Sequence, residues 1–280
     1  MIASERRIIP PSIVRITPRV PQPRYLKVRG AIAMLFISVS LLVLDPVQRL
    51  VIAPWVWLRP ASRHRVLGAW AQLLAWLTSR PLAIIGGAHV PSSPAIPFEP
   101  GVLIIMNHQS LLDIPLVVRC IKGGYAVVVA RKRYVRWIPL VSHLIRLYGY
   151  PVVDPLASPD ESKKMIRALR STARTTDVPI VVFAEGTRTR DGEIGPFMTT
   201  GLSLILRTRP WTVYAMVGDG FWQWATFKQL VFGAHKIRGC LELVDRFEWT
   251  DTRGDSRLFV AQIRDRMVEH LAGMRAAETQ

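Results

Sequence analysis

The chain has 280 residues, half of them hydrophobic, with a mean hydropathy of +0.22, so it can bury a sizeable core and is more apolar than a typical soluble domain. Lys and Arg number 37 against 20 Asp and Glu, and the net charge of +17 predicts an anionic partner. The basic residues are scattered without a zinc-finger or RNA-recognition signature, which argues against nucleic acid, and nine tryptophans favour anionic membrane lipids. Cys120 and Cys240 have no metal-type spacing and form no disulfide framework, which is typical of a reducing cytosol.

Residues 1–30 are predicted to form a basic, proline-rich tail. They hold seven basic residues against the single acid Glu5, and five prolines in the first 23 residues oppose a regular element. The charged stretch is too long and too broken for the n-region of a signal peptide, and no small-residue cleavage site follows the apolar run after it. We therefore expect an irregular basic segment here.

Residues 31–80 are predicted to form a membrane-associated helical segment. It contains three apolar runs, the second and third of which hold tryptophans, at 31–44, 50–58 and 66–77. As a helix the first run would be roughly 21 Å long against a hydrocarbon core of roughly 30 Å, and Asp45 and Pro46 interrupt it. We expect a re-entrant or interface-lying helical pair that keeps the rest of the chain cytoplasmic. A buried core helix and a tilted single span that reaches residue 52 are the alternatives.

Residues 81–280 are predicted to form one α/β domain, a mainly parallel or mixed sheet covered by helices. The predicted strands are 102–106, 126–130, 152–153, 180–183, 212–217 and 237–244. The predicted helices are 110–119, 138–147, 159–174, 200–207 and 256–275. Ser158 is the expected N-cap of the third helix, and the apolar stripe of the last helix is expected to face the core.

A histidine and a carboxylate, His108 and Asp113, follow the first predicted strand of this domain. A histidine at a strand end can reach a ligand at the carboxyl edge of a sheet, and a strand-to-helix turn can bring Asp113 back to the ring. Such a pair would act as general base on a substrate hydroxyl, worth roughly 10² to 10⁴ in rate, without a catalytic Ser or Cys. The alternative is that Asn107 or Ser110 caps a helix and His108 is a surface histidine. The other histidines form no coordination pattern, so we expect no metal site.

The second motif is the run Glu185, Gly186, Thr187 and Arg188, which follows the predicted strand 180–183. Glycine allows a sharp turn and a close approach of the backbone to a ligand, and a planar guanidinium suits two phosphate oxygens. The carboxylate is expected to orient Arg188 or to bind a polar group of the substrate. The alternative is a β-turn with a surface ion pair.

The order Asn-His-x4-Asp and then Phe-x-Glu-Gly-Thr-Arg resembles the glycerolipid acyltransferase family, whose best-known members are the lysophosphatidic acid (1-acylglycerol-3-phosphate) acyltransferases. The resemblance covers roughly residues 85 to 250. It implies that His108 is the catalytic base, that Asp113 is its partner and that residues 185–188 bind the acceptor. Residues 81–280 would then be the catalytic domain.

The same resemblance implies a membrane-bound O-acyltransferase of phospholipid biosynthesis. Such an enzyme moves a fatty acyl group from an acyl thioester, either acyl-CoA or acyl carrier protein, to the free hydroxyl of a lysophospholipid. The implied acceptor is 1-acylglycerol-3-phosphate and the product is phosphatidate, with no cofactor. The implied location is the cytoplasmic face of a membrane, the inner membrane in a bacterium.

Some positions depart from the family pattern. Pro155 stands where an arginine associated with the acceptor phosphate is usual, and Ala184 replaces a proline. An acyltransferase for another lysolipid, such as a lyso-ornithine lipid, is therefore one alternative. A catalytically silent membrane-surface protein, held by its basic tail and tryptophan-rich helices, is another. The intact His108 and Asp113 favour an active enzyme.

Overall fold

The computed structural model describes residues 24–90 and 92–277. Within them the chain forms nine α-helices, in chain order α1 (Arg24–Val47), α2 (Ala53–Leu58), α3 (Arg63–Ile84), α4 (Asp113–Cys120), α5 (Val141–Leu147), α6 (Pro159–Thr175), α7 (Thr199–Leu206), α8 (Phe227–Gly233) and α9 (Ser256–Ala277). The same residues form seven β-strands, in chain order β1 (Val102–Met106), β2 (Val127–Val128), β3 (Ala130–Arg131), β4 (Val152–Val153), β5 (Ile180–Phe183), β6 (Trp211–Asp219) and β7 (Cys240–Trp249).

The N-terminal helical segment continues through α1 and α2, because a π-helical turn (Gln48–Ile52) joins them without a break. The predicted interruption at Asp45 and Pro46 is therefore wrong. Proline removes one backbone donor, but contacts with α5 and the loop before it hold this part of the helix. The buried Gln48 side chain donates to the Leu140 carbonyl at 3.1 Å, and an Asp45 oxygen accepts from the Leu140 amide at 2.7 Å.

One helix in the described part of the chain, Tyr25–Leu58, has the length and apolar character that a membrane span requires. The helix has 34 residues. Its apolar 18-residue window has a mean hydropathy of 2.1, and 22% of this window is buried in the protein. At 1.5 Å per residue the helix is about 51 Å long, against roughly 30 Å of hydrocarbon. The runs at 31–44 and 50–58, each too short to span alone, therefore lie in one helix that is long enough. Core helices and signal sequences also meet these criteria, so membrane association stays a prediction.

The tail predicted over residues 1–30 lies only partly within the described residues. Residues 1–23 fall outside them, and α1 begins at Arg24, so an irregular segment is the wrong prediction for residues 24–30. No proline opposes a helix in this stretch, and tertiary contacts favour one. The Arg29 guanidinium donates to the Ile85 carbonyl at 2.8 Å, which anchors the start of α1 just after α3.

The third apolar run lies in α3, which packs against α1 and forms the second arm of the predicted helical pair. The Trp70 indole N–H donates to the Gln48 side-chain oxygen at 2.9 Å across the buried contact between the two helices. A buried indole N–H usually finds such a partner, because an unpaired polar group in the core is costly.

The central sheet has five strands in the order β2-β5-β1-β6-β7. The first four are parallel to one another, and β7 is antiparallel to β6. A separate pair, β3 and β4, is also parallel. The fold is therefore the predicted α/β class, with a mainly parallel sheet covered by helices.

The strand predicted over 126–130 is divided into β2 and β3. The Val127 amide donates to the Pro179 carbonyl at 2.9 Å beside β5, whereas the Ala130 amide donates to the Pro151 carbonyl at 2.9 Å beside β4. The chain changes its pairing partner within one apolar run, and hydrophobic pattern alone carries no signal for such a change.

Two other boundaries move because backbone amides pair outside the predicted helix or strand. The helix predicted from Ser110 begins at Asp113, whose carboxylate accepts from the Ser110 amide at 2.8 Å. The strand predicted over 237–244 is β7, which starts later because the Gly239 amide donates instead to the His89 carbonyl at 3.4 Å.

Helix caps agree with the sequence at one site and reveal an unpredicted helix at another. Ser158 caps α6 in a reciprocal capping box with Glu161, as predicted. Helix α8 was not predicted, although Thr226 caps it in the same way, and this signal would have identified it. The helix predicted over 138–147 begins later, as α5, because Leu140 has a left-handed backbone with φ of 61°.

Both faces of the sheet are buried, as continuous apolar strands predict. Leu103 and Ile105 of β1 pack with α7 and α9, whereas Ile104 and Met106 pack on the opposite face with α1 and α4. The predicted stripe of α9 faces the core, with the buried members Ile263, Met267 and Leu271. Strand β1 is thus central, and its carboxyl end carries the histidine motif.

Candidate active site

The two motifs leave the sheet side by side. Strands β1 and β5 are parallel with Met106 opposite Phe183, so both end at the same edge. Their pairing continues beyond the strands, because the Ala184 amide donates to the Met106 carbonyl at 3.3 Å and the Thr189 amide donates to the His108 carbonyl at 2.8 Å. Backbone hydrogen bonds therefore hold the histidine loop against the Glu-Gly-Thr-Arg turn.

The predicted contact between His108 and Asp113 is confirmed. Nδ1 of His108 lies 2.7 Å from Oδ2 of Asp113, and the same oxygen accepts from the Gln109 and Ser110 amides at 2.6 and 2.8 Å. The carboxylate is fully buried, while 19% of the imidazole is exposed and stacks on Phe183 at 4.3 Å. A proton on Nδ1 directed at Asp113 leaves Nε2 as the acceptor toward solvent.

Two polar neighbours of the histidine have structural partners. The Asn107 side-chain amide donates to the Gly218 carbonyl and accepts from the Gly218 amide, both at 2.9 Å, which ties the end of β1 to β6. The Ser110 hydroxyl donates to the Trp224 carbonyl at 2.9 Å. The N-cap of α4 is Leu112, so the alternative in which Asn107 or Ser110 is the helix cap is wrong.

Glu185 is buried and braces the backbone of the site. Its two carboxylate oxygens accept from the His108 amide at 3.0 Å and from the Gly195 amide at 3.1 Å. Burial raises the pKa of this carboxyl, and the two amide hydrogen bonds act in the opposite direction. The contacts therefore give Glu185 a positioning role, whereas the sequence predicted that it orients Arg188 or binds substrate.

Gly186, Thr187 and Arg188 form the predicted sharp turn. Gly186 has a φ of 65°, and its amide donates to the Phe183 carbonyl at 3.0 Å, while Thr187 is exposed. The Arg188 guanidinium donates to the Ala225 carbonyl. Because Ala225 directly follows the partner of the Ser110 hydroxyl, one short segment contacts both motifs and keeps the guanidinium near the histidine loop.

Sequence reasoning missed a charge network behind the histidine. Gln109 donates from Nε2 to Asp219 Oδ1 at 3.1 Å, and Arg275 donates from Nε to Asp219 Oδ2 at 2.7 Å. Burial acts to raise the pKa of Asp219, but the hydrogen bonds from Arg275 and Gln109 outweigh it, so the pKa is lowered. No local pattern could have revealed this pair, because 56 positions separate Asp219 from Arg275.

Two arginines of α9 also hold the loop that follows the Glu-Gly-Thr-Arg turn. Arg264 donates to the Gly195 carbonyl at 2.9 Å and to the Ile194 carbonyl at 3.1 Å. Arg275 donates to the Gly192 carbonyl at 2.9 Å. The last helix therefore fixes the loop whose Gly195 amide binds the Glu185 carboxylate.

The residues that carry this geometry match a family model described as Acyltransferase over positions 84–217. We call residues 84–217 the acyltransferase domain, after the family model that they match. His108, Asp113 and the turn at 185–188 all lie within this acyltransferase domain, as does most of the parallel sheet.

Curated relatives match this chain over about 180 residues. A 1-acyl-sn-glycerol-3-phosphate acyltransferase of Cocos nucifera is 27% identical over 182 residues, which are 65% of this chain and 55% of that protein. A protein of the same name from Limnanthes douglasii is 26% identical over 180 residues, 62% of this chain and 59% of that protein. The chain therefore spans little more than half the length of the curated relatives it matches.

A solved structure shares the fold. The crystal structure of the 1-acyl-sn-glycerophosphate (LPA) acyltransferase PlsC from Thermotoga maritima superposes with a TM-score of 0.63 at 19% sequence identity. The match covers 88% of this chain and 98% of that one, so it extends well beyond residues 84–217.

Within the described residues, neither the Cys120 thiol nor a cluster of metal-ligating side chains forms a second reactive site. Cys120 is buried in α4, and burial raises the pKa of its thiol to about 12, which makes it a poor nucleophile. Across residues 24–90 and 92–277, no group of three His, Cys, Asp or Glu side chains could hold a metal ion.

The raised pKa of Glu185 predicts a pH dependence of stability. The folded domain binds the proton of the Glu185 carboxyl more tightly than the unfolded chain does. The free energy of unfolding therefore falls as pH rises from 4.5 through the folded pKa of this carboxyl. Glu185→Gln cannot titrate, so wild type should lose stability relative to this variant across that window. Urea unfolding at several pH values between about 4 and 8 measures the difference. A difference that is constant, or that moves in favour of wild type, contradicts the assignment.

Proposed function

We propose that this chain transfers a fatty acyl group from an acyl thioester to the free hydroxyl of a lysophospholipid, with 1-acylglycerol-3-phosphate as acceptor and phosphatidate as product. The observation that carries the proposal is the His108–Asp113 contact of 2.7 Å at the carboxyl edge of the sheet. The names of the curated relatives support this reaction, and the intact turn at 185–188 supports an anionic acceptor.

In the proposed reaction, Nε2 of His108 takes the proton of the acceptor hydroxyl as that oxygen attacks the thioester carbonyl. The tetrahedral intermediate then collapses, the carbon–sulfur bond breaks, and the imidazolium returns the proton to the thiolate that leaves. Asp113 fixes the tautomer and stabilises the imidazolium. The three donors on its Oδ2 hold the carboxylate in place for this role.

Arg188 is the proposed ligand of the acceptor phosphate. In this structure its guanidinium donates to the Ala225 backbone carbonyl, and the guanidinium Nη2 lies 3.5 Å from the Tyr134 hydroxyl. Both are neutral acceptors, whereas a phosphate offers charged oxygens that suit the planar fork better. The exposed Thr187, next to the left-handed Gly186, is proposed to contact the same acceptor.

The proposed location is a membrane surface, the cytoplasmic face of the inner membrane in a bacterium. The apolar helix Tyr25–Leu58 and the net charge of +17 support contact with anionic lipids. The donor is proposed to be acyl-CoA or acyl carrier protein, used as a substrate, and the reaction as written requires no cofactor or nucleic acid.

Acyl transfer by the purified full chain tests the proposal. The protein in detergent micelles is incubated with labelled acyl-CoA or acyl carrier protein and with lysophosphatidate, lysophosphatidylglycerol or lyso-ornithine lipid, and products are identified by mass spectrometry. We expect phosphatidate to form fastest. Preference for another lysolipid would replace the acceptor, and a thioester that is not consumed with any acceptor would favour a silent membrane-surface protein.

A further inference from the structure

Two loops beside the candidate active site expose large apolar side chains. Trp137 is 96% exposed and Leu156 is 93% exposed, more than any other large apolar side chain in the part of the chain that the structure describes. A single exposed leucine is ordinary, but an almost fully exposed tryptophan, with a second exposed apolar side chain on a neighbouring loop, indicates a binding partner.

The two side chains lie on neighbouring loops. Trp137 follows β3 and Leu156 follows β4, and these strands are parallel, so both loops leave the same edge of the small sheet. A salt bridge of 3.3 Å between Lys132 and Asp154 joins the loops. We name these segments, residues 132–140 and 154–157, the paired loops.

The exposed tryptophan sits on a constrained backbone. Trp137 and Leu140 have left-handed φ values of 69° and 61°, which cost energy in residues other than glycine. The loop keeps this shape because Asp45 and Gln48 of the N-terminal helical segment bind the Leu140 amide and carbonyl at 2.7 and 3.1 Å. The Ser142 hydroxyl also accepts from the Ile138 amide at 3.0 Å. These hydrogen bonds therefore fix the loop in the conformation that exposes Trp137.

Charge identifies the partner of the paired loops. Residues 132–140 hold Lys132, Arg133 and Arg136 and no acidic residue. Lys132 pairs with Asp154 and Glu161, whereas the exposed Arg133 and Arg136 form no ion pair within the described ranges. Tryptophan beside uncompensated arginines is the pattern of a surface that enters the headgroup region of an anionic bilayer.

We propose that Trp137 and Leu156 insert into an anionic lipid surface and form a second membrane contact, in addition to the N-terminal helix. The Tyr134 hydroxyl of the same loop lies 3.5 Å from Arg188, and Arg131 donates to the Gly186 carbonyl. Insertion of the paired loops therefore turns the mouth of the candidate active site toward the bilayer, where a lysolipid headgroup would lie. This orienting role rests on the proposed function, whereas the membrane contact stands without it.

Site-directed fluorescence on the full chain tests the contact. In a Cys240→Ser background, Trp137→Cys, Leu156→Cys and the control Leu258→Cys each receive an environment-sensitive label. Leu258 is 57% exposed on α9, which packs on the face of the central sheet opposite to α1 and α4. The protein is then reconstituted in vesicles of phosphatidylglycerol and phosphatidylcholine, or of phosphatidylcholine alone.

We expect blue-shifted emission and quenching by spin-labelled lipid at positions 137 and 156, strongest in the anionic vesicles, and aqueous emission at 258. Aqueous emission at all three positions overturns the proposal. A shift at 137 that appears in detergent without lipid and grows with protein concentration also overturns it, because a second copy of the chain would then be the partner.

A kinetic arm tests the orienting role separately. The double variant Trp137→Ser/Leu156→Ser should raise the apparent KM for an acceptor presented in anionic vesicles by about tenfold, because the lost apolar insertion weakens binding to the lipid surface. With a water-soluble short-chain acceptor, its KM and kcat should equal those of wild type. An unchanged KM in vesicles overturns the orienting role. A wild type that transfers no acyl group defeats the proposed function instead, and the fluorescence result then still decides the membrane contact.

Discussion

Replacing His108 by Ala is expected to lower kcat for acyl transfer by about 10² to 10⁴-fold, because an uncharged hydroxyl then attacks the thioester without a base. The buried Asp113 carboxylate would keep its two backbone amide donors, so the fold should persist. Initial rates of thiol release from an acyl thioester measure the loss. Circular dichroism of the same sample verifies that the variant is folded.

A second histidine–aspartate pair supplies the matched control. His64 Nε2 lies 2.8 Å from Asp177 Oδ2, almost the same distance as in the candidate dyad, but the two side chains are 43% and 65% exposed. His64 lies near the start of α3, and Asp177 precedes β5, so neither residue is at the carboxyl edge of the sheet. His64→Ala should therefore leave kcat within about twofold of wild type, as expected for a surface change. Equal losses in the two variants would show that the assay reports general damage and would contradict the base assignment.

Replacing Asp219 by Ala is expected to lower the free energy of unfolding by about 3 kcal/mol, because it removes the more buried of the two carboxylates that pair with Arg275 among the described residues and leaves the exposed Glu193. The carboxylate is 12% exposed and receives Arg275 through two contacts of 2.7 and 3.1 Å. The same change removes the acceptor of Gln109 beside the proposed base, so the rate of acyl transfer should fall with the stability. Urea unfolding followed by circular dichroism measures the first effect.

Asp160→Ala is the control for this change. Asp160 pairs with Lys163 at 3.4 Å on the surface of α6, where 86% of the carboxylate side chain is exposed. Exposed pairs of this kind contribute about 0.5 kcal/mol or less, so the loss should be several times smaller than at position 219. Two equal losses would contradict the view that the Arg275 network supports the histidine loop.

Strands bounded by polar residues were predictable, because burial and local pattern agree there. The strands at 102–106, 152–153 and 180–183 have the predicted ends, and Ser158 caps α6 as expected. The contact between His108 and Asp113 was also predictable, since a strand-to-helix turn of that length returns the carboxylate to the ring.

Contacts between distant parts of the chain explain what the sequence could not reveal. Asp45 binds the amide of Leu140 across 95 positions, which helps a helix continue through a proline where local rules predict a break. Glu185 was expected to orient Arg188 or to bind a polar group of the substrate, but its oxygens accept from backbone amides of two other loops. Both contacts depend on tertiary packing, which the local sequence pattern does not reveal.

The register of β1 on β5 has a consequence for how this site tolerates change. Met106 faces Phe183 across a single interstrand gap, about 4.8 Å wide whatever the number of residues between the two motifs. Insertions and deletions in the stretch between them can thus be absorbed at the periphery without altering the spacing of the reactive groups. Linear separation between the motifs is free to drift over evolutionary time, and homologues with very different intervening lengths can keep the same chemistry.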